Sequence, residues 1–424
     1  MDMRVSAGRG FGGGITAVSS KSDAHRLFIC AALADAPTRI YFSGQSEDIL
    51  ATLACVGALG ARVERVAGGV AITPAPACKE PSRGPGDDCP GFYCNESGST
   101  LRFMIPVAAA LLDRAEFFGS GRLRERPLEP LLREMRGHGC SFEYPPEPSG
   151  PDESSKGAPI LRLRGRLTGG RFTVPGDVSS QFVSGLLMAL PLIGGGSVAV
   201  TGPVQSKSYI DITASAMKRF GVDTVCGGGA YAVESGRPYR SPGELSAEGD
   251  WSNAAFWLAA NYLGADARVT GLNADSPQGD KAVAGILEYL RDGAPEHLVD
   301  AAQIPDLVPV LAVAAAVTPG VTRIYNAERV RLKESDRLSA MARNLSALGA
   351  QIKELPGGLV ITGVERLSGG EADGWNDHRV VMACAVASLV CDRPVIIRGA
   401  QAVNKSYPQF FEDFKALGGE ADVI

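Results

Sequence analysis

Long apolar runs are absent from this sequence. The two most apolar stretches, Leu307 to Val317 and Val380 to Val390, fall well short of the roughly 20 residues that a spanning helix needs. Met1 to Gly14 has no apolar stretch following basic residues, so no secretory leader is expected there. Cysteine is scattered: nine residues, an odd number, with no Cys-x-x-Cys pair. That pattern disfavours a secreted disulfide scaffold and a structural zinc site, and points to buried, reduced thiols in a cytoplasmic protein. Only four histidines occur, none with a partner at ligand spacing, so metal binding is not expected. No long basic run appears and the net charge is -5, which argues against general nucleic-acid or anionic-membrane binding. Aromatics make up only 7%, so the core must lean on aliphatic side chains and close helix packing.

What the chain has in quantity is glycine, 52 of 424 residues, within a composition that is 45% hydrophobic and 21% charged. That balance is globular, and the length is a prior for two domains. The glycines recur in a pattern. Leu59-Gly60-Ala61, His138-Gly139-Cys140, Phe220-Gly221-Val222, Leu348-Gly349-Ala350 and Leu417-Gly418-Gly419 each close an amphipathic segment, with a weaker copy at Asp292-Gly293-Ala294. A glycine there predicts a left-handed helix cap. The spacing, roughly 70 residues, exceeds ordinary solenoid units and leaves room for two helices and several strands. Hairpins are predicted after the caps at Arg62 to Thr73, Val222 to Val233 and Gln351 to Thr362, and strands before helices at Ser197 to Thr201, Thr322 to Tyr325 and Pro394 to Arg398. Lys-Ser-Tyr occurs at 207–209 and again at 405–407, about half a chain apart, which suggests two similar domains of three units each. The Pro/Gly/Ser-rich stretches 74–91 and 145–159 read as surface loops, and Gly236 to Gly249 as a boundary, giving domains of 20–243 and 1–19 plus 244–424.

Each unit also puts polar or basic residues at a helix start: Ser19 to Ser22, Glu96 to Arg102, Ser179 to Gln181, Lys333 to Arg337 and Asn376 to Arg379. Free N–H groups and the helix dipole make such a terminus an anion site, and Lys or Arg completes the neutralisation. Taken alone, each reads as an N-cap or a solvated charged turn. Several together on an acidic protein point to a ligand with more than one anionic group.

In order, these segments resemble the enolpyruvylshikimate-phosphate synthase family. The resemblance is carried by Lys21-Ser22-x-x-x-Arg26, Ser97-Gly98-Ser99-Thr100-x-Arg102, Arg124-Glu125-Arg126-Pro127, Ser179-Ser180-Gln181-Phe182, Ser206-Lys207-x-Tyr209-Ile210-Asp211, Ile304-Pro305-Asp306, Lys333-Glu334-Ser335-Asp336-Arg337, Asn376-Asp377-His378-Arg379 and Lys405-Ser406-Tyr407-Pro408, which span essentially the whole chain. It implies an α/β fold of two similar domains, each of three βαβαββ units in an inverse-barrel arrangement, closing over a cleft between them. It implies transfer of enolpyruvate from phosphoenolpyruvate to shikimate 3-phosphate without a metal or organic cofactor, by a monomer. Lys21, Ser22, Arg26, Ser179, Ser180, Gln181, Ser206, Asp306 and Lys333 would bind shikimate 3-phosphate. Lys21, Gly98, Arg126, Gln181, Arg337, Arg379 and Lys405 would bind phosphoenolpyruvate. Lys21, Asp306 and Glu334 are the catalytic candidates, with Asp306 assigned to the reacting hydroxyl and Glu334 to C3 of the enol; which group donates each proton stays open.

The chain departs from the family pattern at Glu96, where many members have Asn, and at Ser99, where Thr is common. The first change should affect substrate affinity and not reaction type. A small Gly98 leaves room for the family inhibitor glyphosate, so sensitivity is expected. Competing readings are the sister transferase acting on UDP-N-acetylglucosamine, a non-catalytic phosphometabolite-binding protein, and an RNA terminal-phosphate cyclase. The sister family usually carries Lys-Asn in the first motif and a reactive loop cysteine, whereas Gly119 to Pro127 here has none and Cys140 reads as packing at a helix end. A binding protein should have lost Lys21, Asp306 or Glu334, and a cyclase should offer a nucleophilic His and a nucleotide-binding surface.

Overall fold

The computed structural model describes residues 1–8, 10–74, 89–146 and 158–424. The two stretches read as surface loops lie mostly outside the described residues. The chain forms two compact units, one of Lys21–Ser43 and Glu47–Ala247, the other of Met1–Ser20, Gly44–Ser46 and Glu248–Ile424. Among the described residues no helix is long and apolar enough to cross a membrane.

The first unit holds three four-stranded sheets of one design. In each, an edge strand runs parallel to its neighbour and a hairpin completes the sheet antiparallel. Gly91–Tyr93 pairs in parallel with Arg114–Phe118, which then pairs with Leu161–Arg164, itself paired to Ser141–Glu143. Gly170–Pro175, Gly196–Thr201, Ala230–Val233 and Val225–Gly227 repeat the order. So do Glu244–Ser246, Thr38–Tyr41, Gly69–Thr73 and Arg62–Val66, with the parallel edge strand supplied from the far end of the unit. In the first two sheets a helix crosses over between the parallel strands, as parallel pairing requires, and in the third a helix leads into Thr38–Tyr41. These helices, Lys21–Ala32, Gly98–Leu111 and Ser180–Ala189, are buried over almost their whole length.

In the second unit, Glu296–Asp300, Val321–Tyr325, Gly358–Thr362 and Gln351–Leu355 form the same sheet. So do Gly370–Asp373, Val395–Arg398, Met3–Ser6 and Glu420–Val423, where the chain's first strand takes the place of a hairpin arm. The remaining copy is only a parallel pair, Gly12–Thr16 with Asp266–Thr270. It lacks a hairpin because, past Gly293, the chain runs through Pro295 straight into the strand that starts at Glu296. The helices Trp251–Tyr262, Val308–Ala316 and His378–Ala387 pack pairwise against one another. Every residue of the last two is buried. Each unit has one aliphatic-rich core, and the expected hairpins and strands fall where the sequence placed them.

The six glycines of the repeated ending all have positive φ, from 77° at Gly293 to 98° at Gly60 and Gly349. At Gly349 the next amide, Ala350 N–H, reaches back to the Leu345 carbonyl at 2.8 Å while Gly349 N–H donates to Ser346 at 3.0 Å. The same pair of bonds closes the helices ending before Gly60, Gly221 and Gly418. This is the Schellman arrangement, which satisfies the orphan carbonyls of a last turn.

Candidate active site

In the first unit, three of the anticipated helix starts are real. Lys21 opens its helix, and its ammonium pairs with Asp48 at 2.8 Å, both side chains largely shielded. Asp48 belongs to no motif singled out from the sequence; it lies in the first turn of helix Glu47–Ala58. One turn on from Ser22, Arg26 is buried and already held by the protein. Its Nε donates to Thr213 at 2.6 Å, Nη1 to the Ser22 carbonyl at 2.5 Å and Nη2 to the Tyr209 carbonyl at 2.9 Å. Burial draws its proton affinity down to about 10, with Asp23 opposing. Arg26 thus fixes Ser22 and the Tyr209 turn as well as lending charge.

Ser97 caps the second helix, accepting from Thr100 N–H at 3.3 Å, and Thr100 Oγ1 donates to the same oxygen at 2.7 Å. Behind them a buried chain of hydroxyls continues from Thr100 to Thr52 at 2.6 Å and on to His25 Nδ1. Burial, then Lys21 and Arg26, hold the His25 imidazole well below its ordinary pKa, so it is neutral. At Gly98 a Cβ would stand 2.6 Å from the Arg126 guanidinium, which therefore lies flat on the helix start. The glycine makes room for that arginine. Arg102 ties the neighbourhood together: it donates to Gln181 Oε1 at 2.7 Å and to the Pro127 carbonyl at 2.9 Å, while Gln181 donates to Ser99 at 2.8 Å. Arg102 stood in the sequence motif without a role; the fold makes it the support of both Gln181 and the Arg126 loop. Glu96 rests its carboxylate against the backbone of Gly121, at the start of the turn Gly121–Glu125 that leads to Arg126.

Ser179 caps the third helix and accepts from Gln181 N–H at 3.3 Å, with Ser179 and Ser180 both buried. Ser206 is buried with φ 55°, a left-handed backbone that a residue with a side chain adopts at a cost. The repeated Lys-Ser-Tyr motif diverges in its setting. Lys207 is exposed on Asp211 at 2.7 Å, whereas Lys405 is buried and donates to the Asn376 carbonyl at 2.6 Å.

In the second unit the charges converge on Arg337. Asp336 caps its helix, accepting from Ser339 N–H at 3.1 Å, and Arg331 clamps that cap at 2.8 Å. This presents Lys333, Glu334 and Ser335 just ahead of the helix. The Arg337 guanidinium, 1% exposed, donates to Asp377 at 2.8 Å, Asp306 at 2.7 Å and Glu334 at 2.8 Å. Burial opposes its charge, but Asp377, Glu334 and Asp306 outweigh that and hold it well above its ordinary range. Asp306 also accepts from Arg379 at 3.1 Å and lies 3.4 Å from Lys333. Burial lowers the Lys333 pKa, partly offset by Asp306. Asp377 is itself the cap of helix His378–Ala387 and accepts from Ser335 at 3.0 Å and from Arg379 N–H at 2.9 Å.

The two carboxyls chosen for proton transfer, Asp306 and Glu334, thus share one guanidinium. Arg337, read from sequence as an anion ligand, is the brace that sets their spacing. Asp377 was quoted only as part of a motif and is the deepest member of the cluster. A further buried carboxylate, Asp280, received no attention from the sequence because Pro277-Gln278-Gly279-Asp280 shows no periodicity or charge pattern. Among the described residues no cluster of three His, Cys, Asp or Glu is placed to hold a metal ion. Cys140 is buried at a helix end, and burial pushes its thiol up to about 12, which disfavours the thiolate that a nucleophile needs.

A 3-phosphoshikimate 1-carboxyvinyltransferase of Clostridium novyi (strain NT) is 39% identical over 430 residues, covering 97% of this chain and 96% of that protein. The like-named protein of Clostridium acetobutylicum is 38% identical, covering 96% of this chain and 95% of its own. In fold, the chain matches the EPSP synthase of Acinetobacter baumannii with a TM-score of 0.79 over 100% of both chains at 24% identity. It also matches the enolpyruvyl transferase NikO of Streptomyces tendae, with a TM-score of 0.74 at 17% identity over 99% of this chain and 98% of the other. The family model described as EPSP synthase (3-phosphoshikimate 1-carboxyvinyltransferase) matches residues 5–414, and the chain belongs to that family.

Proposed function

We propose that the protein transfers the enolpyruvyl group of phosphoenolpyruvate to the 5-hydroxyl of shikimate 3-phosphate and releases phosphate, a step of aromatic amino-acid biosynthesis in the shikimate pathway. The observation that carries the assignment of roles is the Arg337 brace, which holds Asp306 and Glu334 on one guanidinium. In the addition step the hydroxyl oxygen bonds to C2 of the enol, Asp306 takes the hydroxyl proton, and Glu334 gives a proton to C3. In the elimination step C3 returns a proton to Glu334, the C2–O bond to phosphate breaks, and Asp306 passes the hydroxyl proton to the leaving phosphate. One carboxylate and one carboxylic acid suffice, each ending as it began after proton return.

Lys21, Ser22, Arg26, Ser179, Ser180, Gln181, Ser206 and Lys333 bind shikimate 3-phosphate, with Asp306 on its hydroxyl. Lys21, Gly98, Arg126, Gln181, Arg337, Arg379 and Lys405 take the carboxylate and phosphate of phosphoenolpyruvate, and stabilise the charge that develops in the tetrahedral intermediate. Arg26 and Arg337 act partly by holding other groups, because the protein already occupies their N–H donors. The buried, high-pKa Cys140 counts against the sister chemistry on UDP-N-acetylglucosamine. The described cysteines are all free thiols and mostly buried, which suits the reducing cytoplasm. Glyphosate, as an occupant of the phosphoenolpyruvate site, inhibits by competition with that substrate.

The test is phosphate release from phosphoenolpyruvate, with either shikimate 3-phosphate or UDP-N-acetylglucosamine as acceptor. Release with the first alone supports the reading; release with the second alone, or with neither, overturns it. Glu334→Ala should lower turnover by about 100-fold while leaving shikimate 3-phosphate binding intact. Unchanged turnover removes Glu334 from the mechanism.

A further inference from the structure

Beside the Arg337 cluster lies a carboxylate that the mechanism above does not use. Asp280 sits in the short turn Gly279–Ala282, 3% exposed, and accepts a hydrogen bond from Ser252 Oγ. Ser252 lies in the first turn of helix Trp251–Tyr262, on which the turns carrying Asp280 and Asp306 both pack, as does the helix that begins at His378-Arg379. Gln278 locks the geometry: its Oε1 accepts from Trp251 N–H at 3.0 Å and its Nε2 donates to the Gly249 carbonyl at 2.8 Å. The segment is thus pinned across a helix start.

We infer that Asp280 is a positioning residue for the transfer: a buried carboxylate, fixed by Ser252 beside Asp306 and Arg379, that keeps Asp306 basic enough to take the hydroxyl proton. The inference rests on the role proposed for Asp306 above. The groups acting on Asp280 from the surrounding elements are Asp306, Arg379 and Asp250. Within its own turn, Lys281 is exposed and donates to the Ala274 carbonyl, and on the following helix Glu288 is exposed. Burial and then Asp306 push the Asp280 pKa up to about 6, against the pull of Arg379 and Ser252. The buried Asp280 and the partly shielded Asp306 share Arg379 as a cationic neighbour, and two such carboxyls titrate as a pair. With Asp280 ionised, its negative charge raises the proton affinity of Asp306; without it, Arg337, Arg379 and Lys333 leave Asp306 a weak base.

The experiment measures kcat for phosphate release at saturating shikimate 3-phosphate and phosphoenolpyruvate as a function of pH, for the wild type, Asp280→Asn and Ser252→Ala, each checked for folding by circular dichroism. Asp280→Asn should lower the plateau and move the acid limb down by about one pH unit. Ser252→Ala removes a donor to the carboxylate and should move the limb in the opposite direction. Opposed shifts are the signature, because a merely structural defect lowers activity without moving a limb. Limbs that coincide with the wild type in both variants overturn the inference. If Asp280→Asn does not fold, Ser252→Ala decides alone, and an unmoved limb overturns it. Failure of the proposed function shows differently: the wild type itself then releases no phosphate at any pH, and the inference falls with it.

Discussion

Glycine 98 illustrates how a single side chain is specified by what lies against it. Sequence suggests that its small size leaves room for ligand; the structure shows that the space is filled by the Arg126 guanidinium. An added methyl has to push that guanidinium off the helix start. Gly98→Ala should therefore raise the KM for phosphoenolpyruvate about tenfold with a smaller change in kcat, the loss expected when one charge-assisted contact is displaced. The effect should vanish in an Arg126→Ala background, and steady-state kinetics on the double variant would reveal additivity if the two act independently. Arg126 and Gln181 stood out in their motifs as candidate ligands. Arg102, Asp48 and Asp377 were not assigned, because what each does depends on partners far away in sequence.

At the scale of the element, the repeated helix ending was legible because a left-handed cap leaves a residue-type signature that neighbours do not alter. What the signature does not show is how much room surrounds each cap. At Gly293 nothing lies within 4 Å of an added Cβ, whereas at Gly349 it would meet Ser368 Oγ at 2.7 Å. Gly293→Ala should thus cost only the backbone term, about 1–2 kcal/mol. Gly349→Ala should cost more, read as a lower denaturant midpoint with an unchanged m-value. Equal losses at both sites would show that the backbone at Ser368 yields to the added methyl at no cost.

Across the whole molecule, two buried titratable groups should leave opposite marks on stability against pH. His25 has a folded pKa held well below 6.5 by burial, so below that pH only the unfolded chain takes up its proton. Its contribution is complete above about pH 6.5 and lost as pH falls, by up to ~1.4 kcal/mol per pH unit. Asp280, raised from 3.8 to about 6, does the reverse: its folded form keeps a proton that the unfolded chain gives up, so stability drops as pH rises between those values. Asp280→Asn should accordingly stabilise the protein above pH 6 by roughly 1–3 kcal/mol and change little below pH 4. Denaturation at both ends of that range checks the sign; a variant less stable at neutral pH would mean that ionised Asp280 is a net structural asset.

The sequence by itself determined the repeated unit, its caps and hairpins, and the ordered set of polar helix starts, since these depend on residues within a turn or two of one another. It did not determine that one copy ends as a bare strand pair, that the first strand completes a sheet with the last, or that Arg26 and Arg337 are braced within the protein. Those outcomes were decided by tertiary structure, because strand pairing and the bracing of buried charge join groups tens to hundreds of residues apart. Arg337 shows the limit: its place at a helix start marks it as a candidate anion ligand, but nothing local in the sequence shows that the fold also delivers Asp306 and Asp377 to it and braces it on those carboxylates.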